Sequence, residues 1–233
     1  MERLDKRLSA AGYSRKEAAV LIRAGRVKAD SAVVTVPETK LPGAAVLTVD
    51  GVPLREGFLY IMLHKSAGVV TSTEDPWERT VLDLLPEELR RRGVFPVGRL
   101  DKDVTGLVLL TDDGPLGHRL TSPRHHVDKV YQVTVDGVLT KEDEAALTAG
   151  LVLGDGLRCL PARLERTGRG NVALLTLREG KYHQVKRMMA CLGKPVTALK
   201  RLAMGPLTLD ERLKPGEWRL LTEEEVAKLT KNA

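Results

Sequence analysis

Three segments carry the side chains that could do chemistry. The first, Gly98-Arg99-Leu100-Asp101-Lys102-Asp103-Val104-Thr105-Gly106, is a polar stretch between two apolar runs. Read generically it is a turn that Asp101 caps. A carboxylate on a loop held between strands is also how a rigid scaffold presents a catalytic group. On the stretch by itself the turn reading wins. The second segment, Gly180 to Leu209, holds Lys181, Lys186, Arg187, Lys194, Lys200, Arg201 and His183, and not one acid. Thirty residues without a counter-charge neutralise themselves poorly, which favours phosphate contact over a solvated basic face. The third, Leu120 to His126, ends in the pair His125-His126. Apart from nearby Asp128, no Cys, Asp or Glu stands at a convincing ligand spacing. Nucleic-acid contact or loop hydrogen bonding therefore fits better than a metal.

The elements that must position these segments can be read from periodicity and breakers. Leu4, Leu8 and Ala11 fall at helical spacing before Gly12, and Ser14 is placed to cap a second helix with Ala18, Leu21 and Ile22 on its apolar face. Val27 to Val36 and Val46 to Val49 read as short strands separated by Pro37 and Pro42-Gly43. Asp50 to Gly57 reads as a linker. Beyond it, strands are expected at Leu59–Leu63, Val94–Leu100, Leu107–Thr111, Lys129–Val135 and Val172–Leu177. Helices are expected at Thr80–Leu89, after Asp112-Asp113-Gly114, at Thr140–Ala149 behind a Thr140/Asp143 capping box, at His183–Leu192, and after Thr222 with Glu225. Strands and helices mix without regular βαβ alternation. The fold class is therefore α+β with a mainly antiparallel mixed sheet.

Composition narrows the partners. The 233 residues are 42% hydrophobic and 29% charged, as in a globular protein, and no run approaches a membrane span. The start, Met1 to Arg7, is charged and has no signal-peptide core. With Cys159 and Cys191 the only cysteines, a reducing cytoplasm is the simplest compartment. The net charge of +6 favours an anionic partner. Residues 1 to 28 concentrate that charge, with eight Lys or Arg against three acids. The basic helices lack an aromatic-rich insertion face, which argues against a membrane surface. No glycine-rich dinucleotide fingerprint is present.

Gly98-Arg99-Leu100-Asp101, Lys129-Val130-Tyr131 and the run Glu179-Gly180-Lys181-Tyr182-His183-Gln184-Val185-Lys186-Arg187-Met188 follow one another in the order and approximate separation of the motifs of the RsuA family of pseudouridine synthases. The chain resembles that family over almost its whole length. The Thr121–His126 loop and the closing Gly216–Glu225 resemble its small-subunit rRNA branch. Arg3-Leu4-Asp5-Lys6, Gly12, Ser14-Arg15 and Ala18 to Val27 resemble an αL RNA-binding domain shared with a small-subunit ribosomal protein. One departure is that Lys28 to Ser31 lacks the glycine usual in the following turn.

The resemblance implies an αL module over residues 1–56 and a pseudouridine synthase domain over 57–233. It also implies isomerisation of one uridine in small-subunit (16S) ribosomal RNA. That reaction has no redox step, so neither cofactor nor metal is expected. Asp101 takes the role of catalytic carboxylate. Lys186 is the basic partner that keeps it ionised, and Tyr131 is the ring that stacks on the flipped base. Arg99, Arg124 and His125 fall to backbone or base-flipping contacts. Arg3, Lys6, Arg7, Arg15, Lys16, Arg23 and Arg26 in the module, with Lys181 and Arg187, are the remaining candidates for RNA contact. A monomer is the default. Two rival readings are the same chemistry on large-subunit rRNA, and a non-catalytic RNA-binding assembly factor that would have no use for Asp101, Tyr131 and Lys186 together.

Overall fold

A computed structural model describes residues 1–54 and 57–231. The chain divides into two compact units: Met1–Leu59 with Pro86–Val94, and Tyr60–Leu85 with everything from Phe95 onward.

In the first unit the expected helices form at Leu4–Ala10 and Arg15–Arg23. The second is started by a reciprocal capping box, Ser14 Oγ accepting from the Glu17 amide and Glu17 from the Ser14 amide. Leu4, Leu8, Ala18, Leu21 and Ile22 pack against Val27, Ala29, Leu47 and Val49, closing a small core. The sheet under them is antiparallel, in the order Ala32–Val33, Val27–Ala29, Leu47–Val49, Val52–Pro53. The single strand expected over Val27–Val36 is broken at Asp30-Ser31, both at positive φ. Asp30 takes the conformation that glycine usually supplies, and its carboxylate accepts a 2.8 Å bond from the Val46 amide. The linker expected over Asp50–Gly57 begins instead as a hairpin. Asp50 and Gly51 both have positive φ, and Val52 pairs with Val49. Residues 55 and 56 of that linker lie outside the described residues.

Thr80–Leu89 is not one helix. A single 3-10 turn at Leu82–Leu84 is followed by extended Leu85, and Pro86 starts a four-residue helix at Glu87–Arg90. The proline ring excludes the helical conformation at the residue before it.

The second unit is built on a nine-stranded mixed sheet. Its main path runs Arg163–Arg166, Val172–Leu177, Lys129–Val135, Val196–Met204, Thr105–Thr111, Tyr60–Lys65, Trp218–Leu220, with Leu207–Thr208 and Phe95–Val97 added at the sides. Every pairing is antiparallel except that of Val196–Met204 with Thr105–Thr111. At this parallel junction Gly106, with φ +109, lies against the Arg201 backbone. A Cβ there would fall 2.2 Å from the Arg201 carbonyl oxygen. Met62, Leu107, Leu109 and Met204 pack with Leu116 and Leu120 of the Gly114–Thr121 helix and Leu229 of the Glu223–Lys231 helix. None of the helices among the described residues is long and apolar enough to cross a membrane.

The strand expected over Val94–Leu100 stops at Val97, because Gly98 turns with φ +73. That early stop releases the chain into the Asp101 loop.

Candidate active site

The loop carrying Asp101 is pinned from several sides. Thr71 Oγ1 donates to the Leu100 carbonyl at 2.8 Å and accepts from the Leu100 amide at 3.2 Å. The Gly68 amide donates to the Lys102 carbonyl at 2.8 Å, and the Val104 amide closes a turn onto the Asp101 carbonyl at 3.1 Å. Beneath the loop, Lys65 ends the Tyr60–Lys65 strand with no exposed surface. Its Nζ donates to the carbonyls of Ser66 at 3.1 Å, Lys102 at 3.1 Å and Val104 at 2.8 Å. Burial pushes this ammonium down to about 8, against the opposing pull of Asp103 and Asp101. Lys65 lies just past the strand expected at Leu59–Leu63, where a lysine reads as part of a turn, and the sequence reading passed it over.

Opposite the loop stands the Gln184–Cys191 helix, one residue shorter at each end than the expected His183–Leu192. His183 caps it at φ 47, and Tyr182 stacks on the His183 ring with centroids 3.8 Å apart. The preceding turn is fixed by buried Glu179, which accepts from the Leu160 amide at 2.9 Å and from the Gln184 side-chain amide. Val185, Met188 and Met189 face inward, and Lys186 is turned to the cleft. Lys186 Nζ lies 3.0 Å from Asp101 Oδ2 and 2.7 Å from Asp103 Oδ1. Burial opposes its charge, but the hydrogen bonds to Asp103 and Asp101 outweigh that and hold the ammonium above its ordinary value. The bond from Lys186 in turn holds Asp103 below the usual carboxylate range. His183 Nε2 is 3.5 Å from the other Asp101 oxygen.

Tyr131, on the Lys129–Val135 strand and mostly buried, lines the same cleft as Asp101 and Lys186. A recess of about 80 Å³ between these three continues into a cavity of about 700 Å³ walled by Gly98, Thr121, Ser122, Lys129, Tyr182 and Arg201. The three residues expected to do the chemistry, far apart in the chain, thus meet at one opening. Arg99 and Lys181 line it too. Lys181 Nζ is already engaged by Glu179 at 3.0 Å and by the Arg158 carbonyl. Arg187 pairs with Asp155 at 2.5 Å. Arg124 and His125, on an exposed 3-10 turn, stay outside the lining, to which that loop contributes Thr121 and Ser122.

In the first unit Arg15, Lys16, Arg23 and Arg26 are exposed along and after the second helix, although Arg26 pairs with Asp50. Arg3 pairs with Asp5 and Lys6 with Glu2. Arg7 corrects its expected place among the RNA-contacting residues. It is 3% exposed, and its guanidinium donates to the carbonyls of Pro42 and Ala45, which makes it part of the unit's framework. The Gly180–Leu209 stretch is likewise not one solvated face: Lys186 serves two carboxylates, and Arg201 is 1% exposed on an interior strand.

Residues 59–191 match the family model for RNA pseudouridylate synthases. The chain belongs to the RNA pseudouridylate synthase family. It is 46% identical to an uncharacterized RNA pseudouridine synthase of Bacillus subtilis, over 96% of both chains. It is 45% identical to a Vibrio cholerae protein named ribosomal small subunit pseudouridine synthase A, over 98% of this chain and 100% of that one. The Escherichia coli protein of the same name is 44% identical, over 97% and 98%. A pseudouridylate synthase crystal structure superposes with a TM-score of 0.70 at 38% identity, covering 98% of this chain and 100% of that one. This chain is an RNA pseudouridine synthase, an isomerase. Asp103 and His183, both touching the Asp101–Lys186 pair, join Lys65 among the members of the candidate site that sequence reasoning assigned no role. For His183 the signal was its place at the head of a helix whose next turn carries Lys186.

Proposed function

We propose that this enzyme converts one uridine of small-subunit ribosomal RNA to pseudouridine, with Asp101 as the catalytic carboxylate. The observation that carries the reading is the 3.0 Å contact between Asp101 and Lys186 in a cleft that Tyr131 also lines. The relatives named for the small ribosomal subunit, similar over nearly their full length, support the choice of RNA.

Pseudouridine formation breaks the N1–C1′ bond, turns the freed uracil and joins C5 to C1′. The C5 hydrogen leaves and N1 ends protonated, so the product is an isomer and no electrons are exchanged with a cofactor. An ionised carboxylate at the ribose serves this chemistry. It adds to the electron-poor sugar, or stabilises it and moves protons. Lys186 orients Asp101 through their 3.0 Å ion pair, and a uracil extruded from its strand stacks on the Tyr131 ring. In this reading residues 1–56 form an αL module that grips RNA through phosphates, using the exposed Arg15, Lys16 and Arg23. Residues 57–233 carry the chemistry.

The test is incubation with unmodified small-subunit rRNA followed by chemical mapping of pseudouridine. The native protein is expected to modify one position. Asp101→Asn is expected to bind the RNA and form none, and full turnover by that variant would refute the assignment of Asp101.

A further inference from the structure

Two cations that line the cleft make no ion pair among the described residues. Lys129 and Arg201 sit on neighbouring strands, Arg201 directly across from Tyr131, at 9% and 1% exposure. Both line the larger cavity. Lys129 Nζ donates to the Val127 carbonyl at 3.0 Å and Arg201 Nε to the Leu107 carbonyl at 2.8 Å. Arg201 Nη2 is buried with no hydrogen-bond partner. Among the described residues neither cation makes an ion pair, and Asp128, next to Lys129, is bound to Arg178 at 2.9 Å. Burial first, then the charge of Arg201, lowers the proton affinity of Lys129, as expected of like charges held close.

Burying a charge without a partner is costly, and two side by side more so. An ordinary structural arginine in a sheet interior would meet a carboxylate or a full set of carbonyls. Here the strands hold the guanidinium with Nε bonded and Nη2 unpartnered, against Gly98, whose missing side chain leaves 3.9 Å between an ideal Cβ position and Arg201 Nη1. The position is adjacent to the loop that carries Asp101. Lys186, by contrast, is already neutralised by Asp101 and Asp103. The counter-charge missing from this wall is one that a ligand must bring.

We propose that Lys129 and Arg201 form an anion pocket for one phosphate of the substrate strand, next to the target uridine. This rests on the reading of the chain as an enzyme that acts on a uridine in RNA. A phosphodiester supplies a negative charge that answers the guanidinium and the neighbouring ammonium on the cavity wall. Held there, it fixes the ribose of the extruded nucleotide over Asp101, a positioning role that the Asp101–Lys186 pair cannot fill.

The experiment uses the full-length protein and the rRNA fragment found to be modified, with the phosphates on either side of the target uridine replaced one at a time by an uncharged methylphosphonate. In the native protein one of the two replacements is expected to lower kcat/KM about tenfold, the scale of one charge-assisted hydrogen bond. In Lys129→Met, checked for native melting behaviour, the same replacement is expected to cost no more than about threefold, because one of the two partner charges has already gone and Arg201 alone remains. Equal losses in native protein and variant would overturn the pocket. So would a native enzyme indifferent to both phosphates, a result that needs no variant to fold. If the native protein forms no pseudouridine in any rRNA, the functional reading falls, and the pocket with it. Turnover that ignores both phosphates removes the pocket alone.

Discussion

Replacing Lys65 by Met keeps the length of a buried side chain and removes the three donors that hold the Asp101 loop from below. Each hydrogen bond from a charged donor contributes about 1.5–3 kcal/mol. Against that loss stands the relief of a buried ammonium: a fall from 10.5 to about 8 corresponds to about 3 kcal/mol. The balance is a variant less stable by about 2–5 kcal/mol at pH 7. The pH dependence tests the cause. The folded chain releases the Lys65 proton as pH passes about 8, whereas the unfolded chain keeps it to about 10.5. Between those values the unfolded state binds more protons, so this group adds stability to the native protein as pH rises. Met has no such proton. The stability gap between native and variant should therefore be flat below pH 8 and widen by about 2 kcal/mol by pH 9.5. Urea unfolding at a series of pH values and constant ionic strength measures it. Turnover at pH 7 should drop about a hundredfold as the loop loses its fixed geometry. A gap that does not change with pH, or a variant as active and stable as the native protein, would refute the account of Lys65 as the loop's buried clamp.

Lys186→Met should cut kcat about a hundredfold with little change in RNA affinity, because it removes the ammonium 3.0 Å from Asp101. Asp103→Asn, which removes the outer contact of Lys186 and leaves its 3.0 Å contact with Asp101, should stay within about threefold of native in the same assay. Gly106→Ala should destabilise the protein by about 3 kcal/mol or more in denaturant unfolding, since its Cβ meets the Arg201 backbone at a positive φ. Replacing Arg15, Lys16 and Arg23 together by Gln should weaken RNA binding and reduce the slope of log affinity against log salt by about 2–3, with single-turnover modification at saturating RNA unchanged.

Local features were legible without the structure. The Ser14 cap and the Thr140–Asp143 capping box form as expected, because each is closed within four residues. The Asp50-Gly51 hairpin carried an equally local signal, in a stretch that polarity alone made look like a linker. Two misjudged spans, Thr80–Leu89 and Val94–Leu100, failed at Pro86 and Gly98, where a single residue's backbone preference overrides the apolar pattern around it.

For the site, chain order and residue type identified Asp101, Tyr131 and Lys186 through their motifs, and physical reading of each segment alone left the Asp101 stretch an ordinary turn. Only the tertiary structure decided which charges are solvated and which are enclosed. Arg7 stands at helical spacing from Leu4 and Ala11, and Lys129 alternates with Tyr131 and Val133, so local spacing marks their faces. That these cations, with Lys65 and Arg201, are enclosed and do not reach solvent at an apolar edge is fixed by distant strands. It is the pairing of Val196–Met204 with both Thr105–Thr111 and Lys129–Val135 that buries Arg201 beside the reacting loop. A charge acquires its chemical role from the dielectric and the partners around it, and those come from strands distant in sequence.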